Sequence, residues 1–271
     1  MERSLEHSLK HSAEISQVIF IDQNDEKLNL KEEIENHPKL NHLHIKVKCV
    51  SEARNSFEIP TDCDWLIFCD DDGYIAEDYM TNFKSYLSQN PHLEIIAGSI
   101  IRDDNFKAYS PRHDIGGDLQ NFRYTKLLMG SNFAVKAKTF KRLGGFDEMF
   151  GAGSYWGSGE ETDFCWHAYF EKVPMQFNYD MKVYHVKPYA GDFEHSKKKA
   201  FQYGIGKGAL VSKWLLQKKK LVVTYELAEM IFIPLAQSLV NALKFNFKQS
   251  IINFYTIAGR IKGLLKYTFQ K

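Results

Sequence analysis

Three consecutive aspartates, Asp70-Asp71-Asp72, follow the apolar run Trp65 to Cys69. Two carboxylates one residue apart at the end of a buried strand can share one hard cation and leave positions open for phosphate oxygens. A solvated acidic turn would use the same residues. A calcium loop of the EF-hand kind is excluded, because Gly73 stands fourth from Asp70 and that loop needs its glycine sixth. A second acidic group, Gly159-Glu160-Glu161-Thr162-Asp163, opens a helical pattern. Carboxylates there suit the positive end of a helix, and they also suit proton transfer. His185 ends a strand-like run, as a structural side chain or as an imidazole completing a carboxylate metal site. Gly204 to Gly208 looks like a phosphate loop, but no strand precedes it and Lys207 is followed by glycine. No HExxH zinc motif and no GxSxG elbow occurs.

The elements that must hold these residues are legible as periodicities. Gln17 to Ile21 and Trp65 to Cys69 are solid apolar runs ending in acids, the pattern of buried parallel strands. Leu43 to Val50 alternates, and Leu93 to Ile101 and Met181 to Tyr184 are further strands. Helices are expected at Glu2 to Ser12, Leu28 to Asn36, Asp78 to Leu87, Thr139 to Leu143 and Glu161 to Phe170. Another is expected at Ser51 to Glu58, with Ser51 as its N-cap. Strands alternating with helices imply an α/β fold with a mostly parallel sheet covered on both faces. Ligands bind such sheets beyond the carboxyl ends of the strands, where Asp22 and Asp70 to Asp72 stand. Asn105 to Met129 reads as a long polar loop, functional or mobile. Beyond Lys197 the chain turns basic and two apolar helical segments follow. A boundary at Pro188 to Asp192 would divide an α/β domain over 1–190 from a basic, amphipathic helical region over 191–271.

Composition narrows the function. The 271 residues carry a net charge of +1, which argues against nucleic acid as a partner. Cys49, Cys63, Cys69 and Cys165 show no CxxC spacing and read as reduced thiols, which fits the cytoplasm. Met1 to His11 are polar and charged, unlike the apolar core of a secretory signal. Met230 to Leu243 is too short a charge-free stretch to cross a bilayer, which takes about 20 residues.

Taken in order, seven pieces of the sequence carry a resemblance. They are QVIFIDQND (Gln17 to Asp25), SEARNS (Ser51 to Ser56), DWLIFCDDD (Asp64 to Asp72), GSNFAVK (Gly130 to Lys136), GGFDE (Gly144 to Glu148), GSGEETDF (Gly157 to Phe164) and VYHVKP (Val183 to Pro188). Together they resemble the inverting family 2 glycosyltransferases of the GT-A fold, and Gln202 to Trp214 resembles the bacterial polysaccharide-building members. The resemblance implies that Asp22 contacts the nucleotide base and Arg54 binds the donor. It implies that Asp72 is the best metal ligand, that Asp70 or Asp71 touches ribose or sugar hydroxyls, and that His185 faces metal and diphosphate. Glu161 stands where the catalytic base belongs, in a motif more often written Glu-Asp, so Glu160 and Asp163 stay in question beside it. Trp156 and Glu160 fall on the expected acceptor side. The implied cofactor is Mn²⁺ or Mg²⁺. The implied donor is a nucleotide-diphosphate sugar, a uridine one favoured, and the acceptor is a glycan or a lipid-linked species.

Two other classes compete: a non-catalytic binding or scaffold protein, and a sugar-1-phosphate nucleotidyltransferase, which would want a glycine-rich loop on its first strand. Two further expectations concern the ends. Ile251, Phe254, Tyr255, Ala258, Ile261 and Leu265 share one helical stripe and Gln249, Asn253, Thr256 and Arg260 another. That pattern fits a helix on an anionic membrane surface, or one packed on its own core. The first places the protein peripherally on the inner face of the membrane. At the other end, Met1 stands where the family's first helix starts. The family's first strand is therefore expected to be absent from this sequence.

Overall fold

The computed structural model describes residues 1–186 and 191–269. Residues 187–190, which include most of the expected boundary and the end of the VYHVKP piece, lie outside the described residues. In chain order the strands are β1 (Val18–Asp22), β2 (Leu40–His44), β3 (Trp65–Phe68), β4 (Gly73–Ile75), β5 (Ile95–Arg102), β6 (Phe133–Lys136) and β7 (Met175–His185). The helices are α1 (Glu2–Lys10), α2 (Glu32–Glu35), α3 (Val50–Asn55), α4 (Tyr79–Gln89), α5 (Pro111–Ile115), α6 (Ala137–Leu143), α7 (Glu160–Phe170), α8 (Phe193–Ser212), α9 (Thr224–Leu243) and α10 (Phe247–Phe269). The chain divides into two compact units. One holds Met1–Lys48, Glu52–Phe146 and Phe164–Pro188; the other holds Cys49–Ser51, Asp147–Asp163 and Tyr189–Lys271.

The first unit is built on a five-stranded sheet in the order β3-β6-β5-β7-β4. β5 and β7 pair in parallel, and β6 runs antiparallel to both β3 and β5. β3, β5 and β7 therefore point one way, while β6 and β4 oppose them. The sheet is thus mixed where the alternation of elements predicts parallel neighbours. The reason is that β6 enters between two co-directional strands. Side chains alternate across the sheet. Leu66, Phe68, Ile95 and Phe133 face α6 and α7, through Phe140, Leu143, Phe164 and Cys165. Ile67, Ile96 and Ala134 face α4, through Tyr79, Met80 and Phe83. Helices cover both faces, as the α/β reading requires. β1 and β2 form a separate parallel pair, with Leu5 and Leu9 of α1 packed on Phe20 and Ile34.

Several boundaries differ from the sequence reading for local reasons. β2 lies at Leu40–His44 rather than 43–50, because its partner β1 is five residues long and the ladder runs out at Asp22 opposite His44. Ser51 sits inside α3 rather than capping it, and its hydroxyl donates to the Phe150 carbonyl at 2.7 Å. The polar middle segment is anchored. Ser110 caps the short α5, and Leu119, Phe122, Leu127 and Leu128 are all buried in the core.

The second unit is helical. α8 passes into a π turn over Lys213–Gln217, and α10 packs along α8 and α9. The segment Gly204 to Gly208 lies inside α8, which disposes of the phosphate-loop likeness.

Candidate metal and donor site

β3 delivers Asp70 at its end, and a turn with the Gly73 amide donating to the Asp70 carbonyl at 3.1 Å leads into β4. β4 is three residues long and pairs antiparallel with the end of β7, placing Gly73 opposite His185. The Val186 amide donates to the Asp72 carbonyl at 3.2 Å and fixes the acid beside the histidine. A side chain at Gly73 would crowd this pairing, since its β-carbon would stand 3.1 Å from Val183 Cγ1. The register of one short ladder thus joins two residues more than a hundred positions apart.

Asp70, Asp72 and His185 present ligand atoms within 4.8 Å of one another. Two ligands of one small dication lie up to twice the bond length apart, about 4–5 Å, so the three donors match the span of a single ion. His185 is buried and lies 4.8 Å from the Tyr109 ring. Its Nδ1 bonds the Val186 carbonyl at 2.9 Å, which directs Nε2 toward Asp72 Oδ1, also at 2.9 Å. A backbone carbonyl on one ring nitrogen is the usual way a histidine is oriented to ligate through the other. Burial alone would push the imidazole down. The hydrogen bonds to Asp72 and to the Val186 carbonyl, with the negative charges of Asp72 and Asp70, together outweigh it and hold His185 above its ordinary range. The hydrogen bond from His185 holds the Asp72 carboxyl below its ordinary range.

Arg54, on α3, donates to Asp70 Oδ1 at 2.7 Å. Its guanidinium stands 5.6 Å over the Phe146 ring. A β-carbon at Gly130 would lie 2.9 Å from Arg54 Nη1, so the glycine of GSNFAVK is what makes room for the guanidinium. Asn132 of the same piece is fully buried, and its amide donates to the carbonyls of Ser99 and Met181, tying β6 to β5 and β7. Crowding by protein raises Asp70 above the usual carboxylate range against the pull of Arg54. Asp71 is exposed beside them. Asp22 is buried, at 1% exposure. One of its oxygens accepts from the backbone and side chain of Asn24, the other from the Leu28 amide and His42. Burial would raise this carboxyl, but those donors hold it well below the ordinary range. Asp22 closes the turn after β1.

The remaining predicted residues belong to the second unit. Glu160 is buried and Glu161 half-buried in the first turn of α7. Asp163, two positions beyond Glu161, is bound on both oxygens: Lys213 Nζ at 2.7 Å and the Trp214 indole N–H at 2.6 Å. Lys213 reaches Asp147 as well, at 2.7 Å. Burial pushes Lys213 down, but these two carboxylates prevail and hold it above its ordinary range; burial in turn holds Asp163 above the usual carboxylate range against the pull of Lys213. Lys213 and Trp214 close the Gln202 to Trp214 piece, but nothing in the sequence pairs them with Asp163. Trp156, expected on the acceptor side, is 2% exposed and packs against Tyr267 at 5.4 Å.

The glycosyl transferase family 2 model matches residues 1–157. This chain belongs to that family. Its fold is similar to that of the mannosyltransferase PcManGT from Pyrobaculum calidifontis, solved in complex with GDP-Man and Mn²⁺. The TM-score is 0.59 at 15% identity, over 97% of this chain and 84% of that one. It is also similar to S. aureus TarS 1-349, with a TM-score of 0.52 at 15% identity, over 98% and 88% of the two chains. No curated protein sequence matches. The family 2 chain is thus a glycosyltransferase with the α/β architecture of the GT-A fold, and it carries an acidic cluster able to hold a cation.

Proposed function

We propose that this glycosyltransferase moves a sugar from a nucleotide-diphosphate donor to a glycan or lipid-linked acceptor with inversion, in cell-surface polysaccharide synthesis. The observation that carries the reading is the convergence of Asp70, Asp72 and His185 at the end of β3, with Arg54 on the flank. Asp72, Asp70 and His185 would hold Mn²⁺ or Mg²⁺, both suited to hard oxygen donors beside one imidazole. When bound, the ion offsets the charge that builds on a departing diphosphate. Arg54 fixes one oxygen of Asp70 and adds a positive charge that suits phosphate. Glu161 takes the proton of the acceptor hydroxyl. The donor proposed is a uridine diphosphate sugar. The guanosine nucleotide seen with the mannosyltransferase of similar fold makes a guanosine diphosphate sugar the first competitor.

Calorimetry with both donors, with and without Mn²⁺, tests the site. The wild type should bind one donor only with the ion present, and Asp72→Ala should lose that dependence together with the affinity. Nucleotide-sugar affinity unchanged in Asp72→Ala would remove the assignment.

A further inference from the structure

The last two helices are amphipathic in the reverse sense. The inward face of α9 carries Glu226, Met230, Pro234 and Ser238, all buried. Its outward face carries Phe232, Ile233, Leu239, Val240 and Leu243, at 45–80% exposure. α10 repeats the pattern: Ser250, Asn253, Gly259 and Gly263 are buried, while Ile251, Phe254, Ile261 and Leu265 are exposed. The apolar stripe expected either on a membrane or in the core thus faces away from the protein.

The inward contacts are those of small and polar groups. The hydroxyls of Ser238 and Ser250 meet at 2.7 Å. Gly259 and Gly263 of α10 lie on the backbone of α8, where a β-carbon would stand 2.2 Å from the Phe201 carbonyl oxygen or 2.0 Å from that of Ile205. Gly204 and Gly208 of α8, at the same spacing of four, face the backbone of α10 in turn. Glycines that let backbones touch, hydroxyls bonded inside and large apolar side chains outside suit helices that meet hydrocarbon. A helix that meets water has the opposite gradient.

Charge names the surface. From Met230 to Lys271 the sequence has no acidic residue, and its charges are Lys244, Lys248, Arg260, Lys262, Lys266 and Lys271. Lys244 and Lys248 bracket the turn between α9 and α10, where Phe245 is 81% and Phe247 58% exposed. The acids of α9 are engaged locally: Glu226 is neutralised by Lys207 at 2.5 Å, and Glu229 accepts a hydrogen bond from the Tyr225 hydroxyl. Leu221–Leu243 is long and apolar enough to cross a membrane by length and composition, longer than the charge-free stretch alone suggests. Its inner face is nevertheless committed to α10, where Arg260 donates to the Met230 carbonyl at 2.6 Å, leaving one side for lipid.

We infer that the outward face of α9 and the Phe245–Phe247 turn dock this protein onto an anionic lipid bilayer, with α9 lying along the interface. Basic residues beside an exposed apolar stripe recognise that surface through headgroup charge and acyl chains together. Flotation of the full chain with phosphatidylcholine vesicles, with and without phosphatidylglycerol, tests this. Binding should be stronger by about tenfold on the anionic vesicles and should weaken with salt. Phe232→Ser with Leu239→Ser and Leu243→Ser should lower it by at least about tenfold. Those side chains are exposed, so the melting temperature in buffer should stay as in the wild type. Lys244→Glu with Lys248→Glu should erase the preference for anionic lipid. Absence of vesicle binding, or a triple variant that binds like the wild type, would overturn the inference. So would a dimer in buffer that the triple variant dissociates, since that gives the face to a second copy.

Discussion

Asp70 and Asp163 are both carboxylates 2.7 Å from a basic side chain, yet they belong to clusters of opposite character. Asp163 is 6% exposed, and Lys213 and Trp214 together occupy both of its oxygens. Lys213 is itself shared with Asp147, so one buried ammonium bridges two carboxylates and both oxygens of Asp163 are answered within the cluster. At the other cluster Arg54 takes one oxygen of Asp70 and His185 one oxygen of Asp72. Asp72 is 51% exposed. The first arrangement is a closed ionic tie that holds a loop to a helix. The second keeps acidic oxygen near solvent, where a cation can reach it. An acidic cluster becomes a site when its own protein leaves part of it unanswered.

Breaking the closed cluster should cost the most. Lys213→Met strands a buried carboxylate, which typically costs about 3–5 kcal/mol. The loss should shrink as the pH falls, because a lone buried aspartate escapes its charge by taking up a proton. Chemical denaturation at two pH values measures both effects. Asp72→Ala, in the open cluster, should leave stability close to that of the wild type. Equal losses from the two substitutions would erase the distinction drawn here.

The first turn of α7 holds a smaller version of the same contrast. Glu161 is half-buried, whereas Asp163 is tied to Lys213. Glu161→Gln should keep donor affinity and lose transfer by at least about a hundredfold, with Glu160→Gln milder. Asp163→Asn should instead act on the melting temperature. Steady-state turnover beside a thermal melt separates the two, and the reverse ranking would move the base.

The open cluster should also respond to pH where the closed one does not. His185 is held above its ordinary range chiefly through Asp72, and below that raised pKa it carries a proton that a metal must displace. Below that raised pKa, metal affinity should fall by about tenfold for each unit of pH, one proton being released per ion. Above it the affinity should level off. Lys213 is shifted upward, away from neutrality, and contributes no such slope. Titrating Mn²⁺ into the wild type and into His185→Gln shows whether the slope belongs to this imidazole.

How much of this could be read from sequence follows from which forces are local. β3 and β5 announce themselves as apolar runs because both faces of the sheet are covered. The three aspartates at the end of β3 and the histidine at the end of β7 were legible as donors for the same reason. β4 was not, since Gly73–Ile75 is too short to show a period and exists through its pairing with β7. The first half of β7 was missed as well, because Asn178, Tyr179 and Asp180 interrupt its alternation at a bulge. α8 was hidden by Gly204, Gly206 and Gly208, which weaken a helix by propensity; Gly204 and Gly208 are kept there by close packing on α10 and Gly206 by packing on Trp156 and Ser158. Lys213 could not be assigned at all, since its partners lie 50 and 66 positions upstream. What the sequence concealed was long-range pairing.

The smallest effect is the sharpest test of the open cluster. Arg54 lies against Asp70 in two capacities: it occupies an oxygen that a cation could use, and its charge repels that cation. Removing the charge while keeping a polar side chain, as in Arg54→Gln, should therefore raise metal affinity. The pair is partly solvated, with Asp70 at 35% exposure, so the gain should be modest, about threefold, in the range of exposed ion pairs. If Arg54 also binds the donor, the same substitution should lower nucleotide-sugar affinity. Opposite signs for the two ligands in one variant are the signature of a residue that guards the metal position and receives the diphosphate. Calorimetry with Mn²⁺ alone, then with Mn²⁺ and donor, reads the two signs separately. A loss of both affinities would instead make Arg54 a structural brace for Asp70, with no direct part in binding.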